Sequence, residues 1–128
     1  MTKILLVDDD ELVRTMYSEV LQKIDDFVVD TAADGNQALV KIAQSTPDIV
    51  ILDIAMPELS GIKVLEIVKS DPKFEKIPIV MLTASSDYKE INGCLTMGAS
   101  GYITKGERHN EVIDKIKMLV KLNRRALN

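Results

Sequence analysis

Short apolar runs alternate along the chain with longer segments in which apolar residues recur every three or four positions. The runs that end at Val7, Leu52 and Leu82 are rich in isoleucine, valine and leucine, as is typical of strands buried on both faces. The longer segments have the period of amphipathic helices. The pattern therefore predicts a βα unit repeated five times. We expect strands over residues 3–7, 27–31, 48–52, 79–82 and 102–104, and helices over residues 11–24, 35–43, 62–69, 87–97 and 110–125.

Helices of this length between buried strands indicate an α/β fold with right-handed crossovers. A doubly wound, five-stranded parallel sheet with helices on both faces satisfies the pattern. Asp10 is placed to cap the first helix. The buried stripe predicted for that helix consists of Leu12, Met16, Val20, Leu21 and Ile24. With 128 residues there is room for one domain, which we take as residues 1–128.

Composition narrows the class of protein. Charged residues make up 28% of the chain and the net charge is −4, which argues against a surface dedicated to nucleic acid or to an anionic membrane. Cys94 is the single cysteine, so an internal disulfide is excluded and a reducing compartment is favoured. The apolar runs are too short to span a bilayer, and the N-terminus lacks a secretory signal. We therefore expect a soluble, cytoplasmic protein.

Polar residues of defined chemistry follow four of the predicted strands. Asp8 and Asp9 come after the first strand, Asp53 after the third, Thr83 after the fourth and Lys105 after the fifth. In an open parallel sheet, ligands bind beyond the carboxyl ends of the strands. Residues distant in sequence are therefore expected to meet in one crevice.

The three carboxylates of this set cannot all be ionised without compensation, so either one of them stays protonated or cations lie beside them. At a separation of about 4 Å and an effective dielectric constant near 20, each pair repels by about 4 kcal/mol. Lys105 supplies one positive charge against three negative charges, and a divalent metal ion would supply the rest. Ligands that are all oxygen favour Mg²⁺, or Mn²⁺, over zinc. The set therefore indicates a site that binds a cation and accepts a phosphoryl group.

Five motifs in the chain, taken in order, resemble those of the response-regulator receiver domains of two-component signalling, the CheY-like superfamily. They are LVDDD at residues 6–10, LDIAMP at 52–57, Gly61, LTA at 82–84 and GASGYITK at 98–105. The resemblance covers nearly the whole chain. It implies a flavodoxin-like (βα)5 fold with strand order 2-1-3-4-5, and we expect a stand-alone, single-domain regulator.

The resemblance also implies roles for particular residues. It implies that Asp53 accepts a phosphoryl group from a phosphohistidine, carried by a sensor histidine kinase or a histidine phosphotransfer protein. It further implies that Asp8, Asp9, Asp53 and the backbone carbonyl of Ala55 hold Mg²⁺. Thr83 and Lys105 would then contact the phosphoryl oxygens. The implied function is a phosphorylation-dependent switch that assists its own phosphorylation and is not a conventional enzyme.

In the family, movement of the threonine is coupled to burial of an aromatic ring on the fifth strand, which Tyr102 matches here. The implied output surface comprises helix 4, strand 5 and helix 5. A downstream protein would bind there, with the regulator a monomer or a phosphorylation-dependent dimer. Basic residues around this surface either meet an acidic partner or form a solvated helix face. They are Lys115, Lys117, Lys121, Arg124 and Arg125.

The chain departs from the family pattern at Gly106, where the family usually has a proline, often after a cis peptide bond. A cis bond before glycine would cost about 2.5–4 kcal/mol. We therefore expect either a trans bond with a re-routed loop or a strained cis bond. Ala55 and Ser85 are small at positions which, in the family, modulate attack by water on the acyl phosphate.

Three other functions fit parts of the pattern. A pseudo-receiver would keep the fold as a protein-binding module and would neither bind Mg²⁺ nor accept phosphate. A haloacid-dehalogenase-like phosphatase would use Asp8 as its nucleophile, but Glu11 stands where threonine or valine is usual, and no acidic pair follows Lys105. A flavodoxin-like electron carrier would need hydroxyls and glycines after the first strand, because three carboxylates repel the phosphate of FMN.

Overall fold

Strands and helices alternate along the described part of the chain, as the hydrophobic pattern predicts. The computed structural model describes residues 1–84 and 87–127, so Ser85 lies outside the described residues. The strands are β1 (Thr2–Val7), β2 (Phe27–Ala32), β3 (Ile49–Asp53), β4 (Ile79–Thr83) and β5 (Gly101–Thr104). The helices are α1 (Glu11–Gln22), α2 (Gly35–Ser45), α3 (Gly61–Lys69), α4 (Tyr88–Thr96) and α5 (His109–Leu127).

The strands form one parallel sheet in the order β2-β1-β3-β4-β5. The order reverses at β1, whose Val7 pairs with Ala32 of β2 on one side and Leu52 of β3 on the other. The predicted doubly wound fold and the strand order 2-1-3-4-5 are both confirmed. Because the order reverses between β1 and β3, a crevice opens beyond the carboxyl ends of these strands.

Alternate residues of each strand face opposite sides of the sheet, and each side has its own core. Leu5 and Val7 of β1 pack into the core that α2, α3 and α4 cover. Ile4 and Leu6 pack into the core that α1 and α5 cover. This alternation is the two-residue period of a strand buried on both faces, which explains why the strands read as continuous apolar runs.

The buried face of α1 differs from the predicted stripe. Leu12 is 80% exposed and Met16 is 40% exposed, so the prediction is wrong for both residues. Tyr17 is buried and Val13 is half-buried in the core between α1, α5 and the sheet. Both arcs of this helix carry apolar residues at helical spacing, and the angle at which the helix meets the sheet decides which arc is buried.

The predicted ends of the helices are close to the observed ones. Asp10 caps α1 as predicted, because its side chain accepts a hydrogen bond from the Leu12 N–H at 2.9 Å. The helix then ends at Gln22, two residues before the predicted end.

Among residues 1–84 and 87–127, no helix combines the length and the apolar character needed to cross a membrane.

Candidate functional site

The carboxyl ends of the strands bring the predicted site residues to one crevice. Asp53 and Thr83 end β3 and β4, while Asp8 and Asp9 directly follow β1 and Lys105 directly follows β5. The crevice is a cavity of about 310 Å³. It is lined by Asp9, Asp10, Asp53, Ile54, Ala55, Thr83, Ala84, Glu90 and Lys105. Sequence reasoning missed Glu90, which α4 contributes from the far side and which no motif marks.

Asp8 and Asp53 are buried and share one cation. Asp8 has no exposed surface and Asp53 is 2% exposed. The Lys105 Nζ lies 3.0 Å from Asp8 Oδ2 and 3.5 Å from Asp53 Oδ1. The Ala55 N–H also donates to Asp53 Oδ1, at 3.3 Å. Lys105 therefore bridges two carboxylates that would otherwise repel each other in a medium of low dielectric constant.

The ammonium group of Lys105 does not fully offset the charges of Asp8 and Asp53. Burial raises the pKa of Asp53 from 3.8 to about 7, with a further increase from the charge of Asp8, although Lys105 acts in the opposite direction. Burial lowers the pKa of Lys105, but the hydrogen bond to Asp8 and the nearby carboxylate charges outweigh it, so the pKa is raised above 10.5. Asp53 is thus held near the midpoint of its titration at neutral pH, and Lys105 is held charged.

The carboxylates fit a divalent cation. One oxygen from each of Asp8, Asp9 and Asp53 lies within 4.8 Å of the others, a distance at which two charges repel by about 3–4 kcal/mol at an effective dielectric constant of 20. Among the described residues, the buried Oδ2 of Asp53 has no hydrogen-bond partner, and the buried Oδ2 of Asp8 meets only the ammonium group of Lys105, at 3.0 Å. Buried oxygens left in this way are available as ligands, and an all-oxygen set suits Mg²⁺.

Arg14 supports the loop that carries Asp8 and Asp9, and sequence reasoning missed it. Its Nη1 donates to the backbone carbonyl of Asp8 at 2.7 Å. The Asp8 Oδ1 accepts the Asp10 N–H at 2.9 Å, which closes the turn from the other side. Nothing in the sequence distinguishes an arginine in the first turn of an amphipathic helix from other charged surface residues. The structure shows that it joins α1 to the end of β1.

Thr83 and Tyr102 lie on adjacent strands, with Tyr102 further from the crevice. Thr83 is 4% exposed and is paired in register with Thr104. Tyr102 precedes Thr104 by two residues on β5, so its side chain projects from the same face of the sheet as that of Thr104. Its ring is half-buried and packs against the core under α2, α3 and α4.

The Lys105–Gly106 peptide bond is trans, so the first of the two expected arrangements is confirmed. The Glu107 N–H donates to the Thr104 carbonyl at 3.0 Å, which closes a turn with Lys105 and Gly106 at its centre. Gly106 has a φ of 112°, in the left-handed half of conformational space that a type II turn requires of its third residue. Glycine at this position is therefore a requirement of the turn that presents Lys105.

Replacing Gly106 by alanine is expected to destabilise the protein by about 1–2 kcal/mol, because a residue with a Cβ is strained at this φ. A Cβ at Gly106 would meet no atom within 4 Å, so the cost comes from the backbone alone. Gly93→Ala in α4 is the matched control, because its Cβ also meets nothing. That change should stabilise the helix by about 0.5–1 kcal/mol. Urea unfolding of both variants measures whether the free energy of unfolding falls in Gly106→Ala and rises in Gly93→Ala.

The basic residues of α5 divide into two groups. Lys115 turns toward β5, where its Nζ donates to the Tyr102 carbonyl at 2.7 Å. The others line a separate cavity of about 470 Å³ beside Thr2 and Phe27, at the opposite end of the sheet from the crevice. They are Lys117, Lys121, Arg124 and Arg125. These four residues therefore lie on the part of α5 that is next to the starts of β1 and β2, and their contact with an acidic partner stays a prediction.

Comparison with known proteins adds independent evidence on the family. A family model described as the response regulator receiver domain matches residues 4–117. The chain is similar to the "probable transcriptional regulator ycf27" of Guillardia theta, with 37% identity over 124 residues. That match covers 97% of this chain and 47% of the relative. The chain thus spans about half the length of this curated relative.

Two of the similar solved structures match over nearly their whole length. The chemotaxis protein CheY4 of Vibrio cholerae is 30% identical with a TM-score of 0.85, and the match covers 92% of this chain and 98% of that one. A putative response regulator from Chloroflexus aurantiacus is 31% identical with a TM-score of 0.89, and the match covers 94% and 98%.

Proposed function

This chain belongs to the response regulator receiver domain family of two-component signalling, and we propose that it is a phosphorylation-dependent switch whose phosphoacceptor is Asp53. The observation that carries the proposal is the arrangement of two buried carboxylates, Asp8 and Asp53, bridged by Lys105 at the carboxyl ends of the strands. Of these two carboxylates, only Asp53 also lines the crevice. It is therefore the one that an incoming phosphoryl group can reach.

The reaction that we propose is an in-line transfer. An oxygen of the Asp53 carboxylate attacks the phosphorus of a phosphohistidine on a sensor kinase or phosphotransfer protein. The P–N bond breaks, and the imidazole keeps the electron pair and takes up a proton. Phosphoryl transfer of this kind depends on positioning and on positive charge at the phosphoryl oxygens. In this proposal Lys105 supplies that charge, and the hydroxyl of Thr83, a residue that lines the crevice, bonds the transferred group.

Asp8, Asp9 and Asp53, with the backbone carbonyl of Ala55, are the residues that we propose hold Mg²⁺, with Mn²⁺ as an alternative. The ion would offset the carboxylate charges and the charge on the transferring group. Asp8 and Asp9 follow β1 directly, and the Arg14 contact to the Asp8 carbonyl restrains the loop that carries them. Asp53 would then be ionised at neutral pH, because a neighbouring divalent cation lowers the pKa of a carboxylate.

The proposed output surface comprises α4, β5 and α5. It contains a cavity of about 320 Å³ lined by Leu95, Ser100, Gly101, Tyr102, Lys115, Met118 and Leu119. Two charge-assisted hydrogen bonds to the phosphoryl group, from Thr83 and Lys105, would together supply about 3–6 kcal/mol. Inverting a 1:99 equilibrium takes about 5.5 kcal/mol. The lower end of that range would shift the equilibrium substantially and the upper end would invert it, so we propose that phosphorylation moves Tyr102 and changes what binds here.

Adding Mg²⁺ is expected to raise the melting temperature, because binding to the folded state alone stabilises it. At a concentration one hundred times the dissociation constant the gain is about 2.7 kcal/mol. Calorimetry with and without millimolar Mg²⁺ measures the change in melting temperature. Asp8→Asn removes one proposed ligand and should show no such change. An unchanged melting temperature in the wild type would remove the support for a metal site.

Intact-mass analysis after incubation with Mg²⁺ and acetyl phosphate tests the proposed function. The wild type should gain one phosphoryl group and Asp53→Asn should gain none. An adduct that persists in Asp53→Asn and vanishes in Asp8→Asn would identify Asp8 as the nucleophile, as in the phosphatase. The absence of an adduct with acetyl phosphate, and again with phosphorylated kinase, would leave the pseudo-receiver, a protein-binding module, as the function.

A further inference from the structure

The free edge of β5 is covered by two side chains that belong to no site motif. β5 is the last strand of the sheet, and the unpaired backbone groups of such an edge strand need other partners. The Glu107 Oε1 accepts the Thr104 N–H at 2.9 Å. The Lys115 Nζ donates to the Tyr102 carbonyl at 2.7 Å. Together Glu107 and Lys115, which we call the edge pair, replace the missing neighbouring strand.

The edge pair is itself an ion pair. The Lys115 Nζ lies 3.3 Å from both carboxylate oxygens of Glu107, and the two side chains are 30% and 20% exposed. The same ammonium group lies 5.4 Å from the centre of the Tyr102 ring. Lys115, which belongs to α5, therefore holds the Glu107 carboxylate in place.

Glu107 closes the Lys105 turn from both sides. Its backbone N–H donates to the Thr104 carbonyl, while its carboxylate accepts the N–H of the same residue. On the inner side of the strand, the Lys105 N–H donates to the Thr83 carbonyl at 2.7 Å. The backbone on either side of the Lys105 Cα is thereby fixed. Gly106 by itself would leave this turn freer than a proline would.

We infer that Glu107 is a positioning residue which, by accepting the Thr104 N–H, fixes the turn that aims Lys105 at Asp8 and Asp53. The inference rests on the proposed function, because Lys105 acts on the transferring phosphoryl group. Glu107 touches neither that group nor the carboxylates. The Glu107 carboxylate restrains the turn, as a rigid residue at position 106 would do in place of glycine. Lys115 keeps this carboxylate oriented.

The test compares Glu107→Ala, Glu107→Gln and the control Glu111→Ala. Glu111 is an exposed glutamate in the first turn of α5. The rate of phosphorylation by acetyl phosphate is followed by intact mass over a range of Mg²⁺ concentrations. Misplacing a catalytic group by about 1 Å can cost up to about a hundredfold in rate. We expect Glu107→Ala to lower the maximal rate by about tenfold and to leave the half-saturating Mg²⁺ concentration within about twofold.

Glu107→Gln keeps an oxygen that accepts the Thr104 N–H, and it should retain at least about half of the wild-type rate. Glu111→Ala should match the wild type. In a Lys105→Met background, Glu107→Ala should slow the reaction no further, because a residue that acts through Lys105 has nothing left to position. Amide hydrogen exchange followed by NMR should show that Thr104 loses protection in Glu107→Ala and keeps it in Glu107→Gln.

A wild-type maximal rate in Glu107→Ala would overturn the inference, and so would equal slowing in the Lys105→Met background. A Glu107→Gln variant as slow as Glu107→Ala would show that the charge and not the accepted hydrogen bond matters, which also overturns it. Failure of the proposed function looks different, because the wild type itself would then take up no phosphoryl group. In that case the Thr104 exchange and the backbone chemical shifts of Lys105 still decide whether Glu107 fixes the turn.

Discussion

Replacing Asp53 by asparagine is expected to stabilise the metal-free protein above pH 7 and to remove part of the pH dependence of its stability. The reason is that burial and the charge of Asp8 raise the pKa of Asp53 to about 7 from 3.8. The ionised side chain is therefore less favourable in the folded state than in the unfolded state. Asparagine has nearly the same shape and carries no charge.

The sign of the effect follows from proton linkage. A group whose pKa is raised by folding contributes stability that is fully present below its unfolded pKa and is lost as the pH rises through its folded pKa. For Asp53 the loss falls between about pH 4 and pH 7, because the pKa is 3.8 unfolded and about 7 folded. A tenfold change in an ionisation equilibrium corresponds to about 1.4 kcal/mol, so a rise in pKa from 3.8 to about 7 corresponds to a total on the order of 4 kcal/mol.

Urea unfolding in EDTA at intervals from pH 4 to pH 8 measures this contribution. The free energy of unfolding of Asp53→Asn, minus that of the wild type, should grow with pH and level off above pH 7. Asp25→Asn serves as a control, because Asp25 is an exposed loop carboxylate, and its difference should stay flat. A difference for Asp53→Asn that is flat or falls with pH would contradict a raised pKa. In saturating Mg²⁺ the sign of the difference should reverse, so that the wild type has the larger free energy of unfolding.

Gly61→Ala is expected to have the largest effect on folding. A Cβ at Gly61 would overlap the Asp53 carbonyl oxygen and lie 2.8 Å from the Asp53 carbonyl carbon. Both are backbone atoms that cannot rotate away. The Gly61 N–H also donates to the Ile54 carbonyl at 2.9 Å, so α3 begins in direct contact with the end of β3. Relief of the clash must move one of these segments, at a cost of about 3 kcal/mol or more.

The same displacement would move Asp53, so the folded fraction of Gly61→Ala should also accept a phosphoryl group more slowly. Gly101→Ala is the matched control, because its Cβ would meet the Leu119 Cδ1 at an ordinary distance of 3.8 Å. Urea unfolding of the two variants distinguishes the clash with the Asp53 backbone from a general effect of replacing a glycine by alanine. A Gly61→Ala protein within about 1 kcal/mol of the wild type would show that the two segments can separate freely.

Much of the candidate site could be predicted because its residues are tied to the ends of strands. Once β1, β3, β4 and β5 are recognised as parallel and buried, Asp8, Asp53, Thr83 and Lys105 must lie at one edge of the sheet. Arg14 and Glu107 could not be predicted in this way. Each acts on a backbone group of a residue six or three positions away, and a charged side chain carries no mark of which backbone group it will reach.

Local periodicity and residue type were enough to establish the order of the elements, the two-sided burial of the sheet and the place where the polar residues gather. These features can be read from the amino-acid sequence without knowledge of distant contacts. Three-dimensional packing settled that α1 buries Tyr17 and not Met16, that the Lys105 turn is trans, and that Lys115 turns to β5 while Lys117 does not. Each of these outcomes depends on how a helix or a turn lies against its neighbours, and that arrangement is set by all the contacts together.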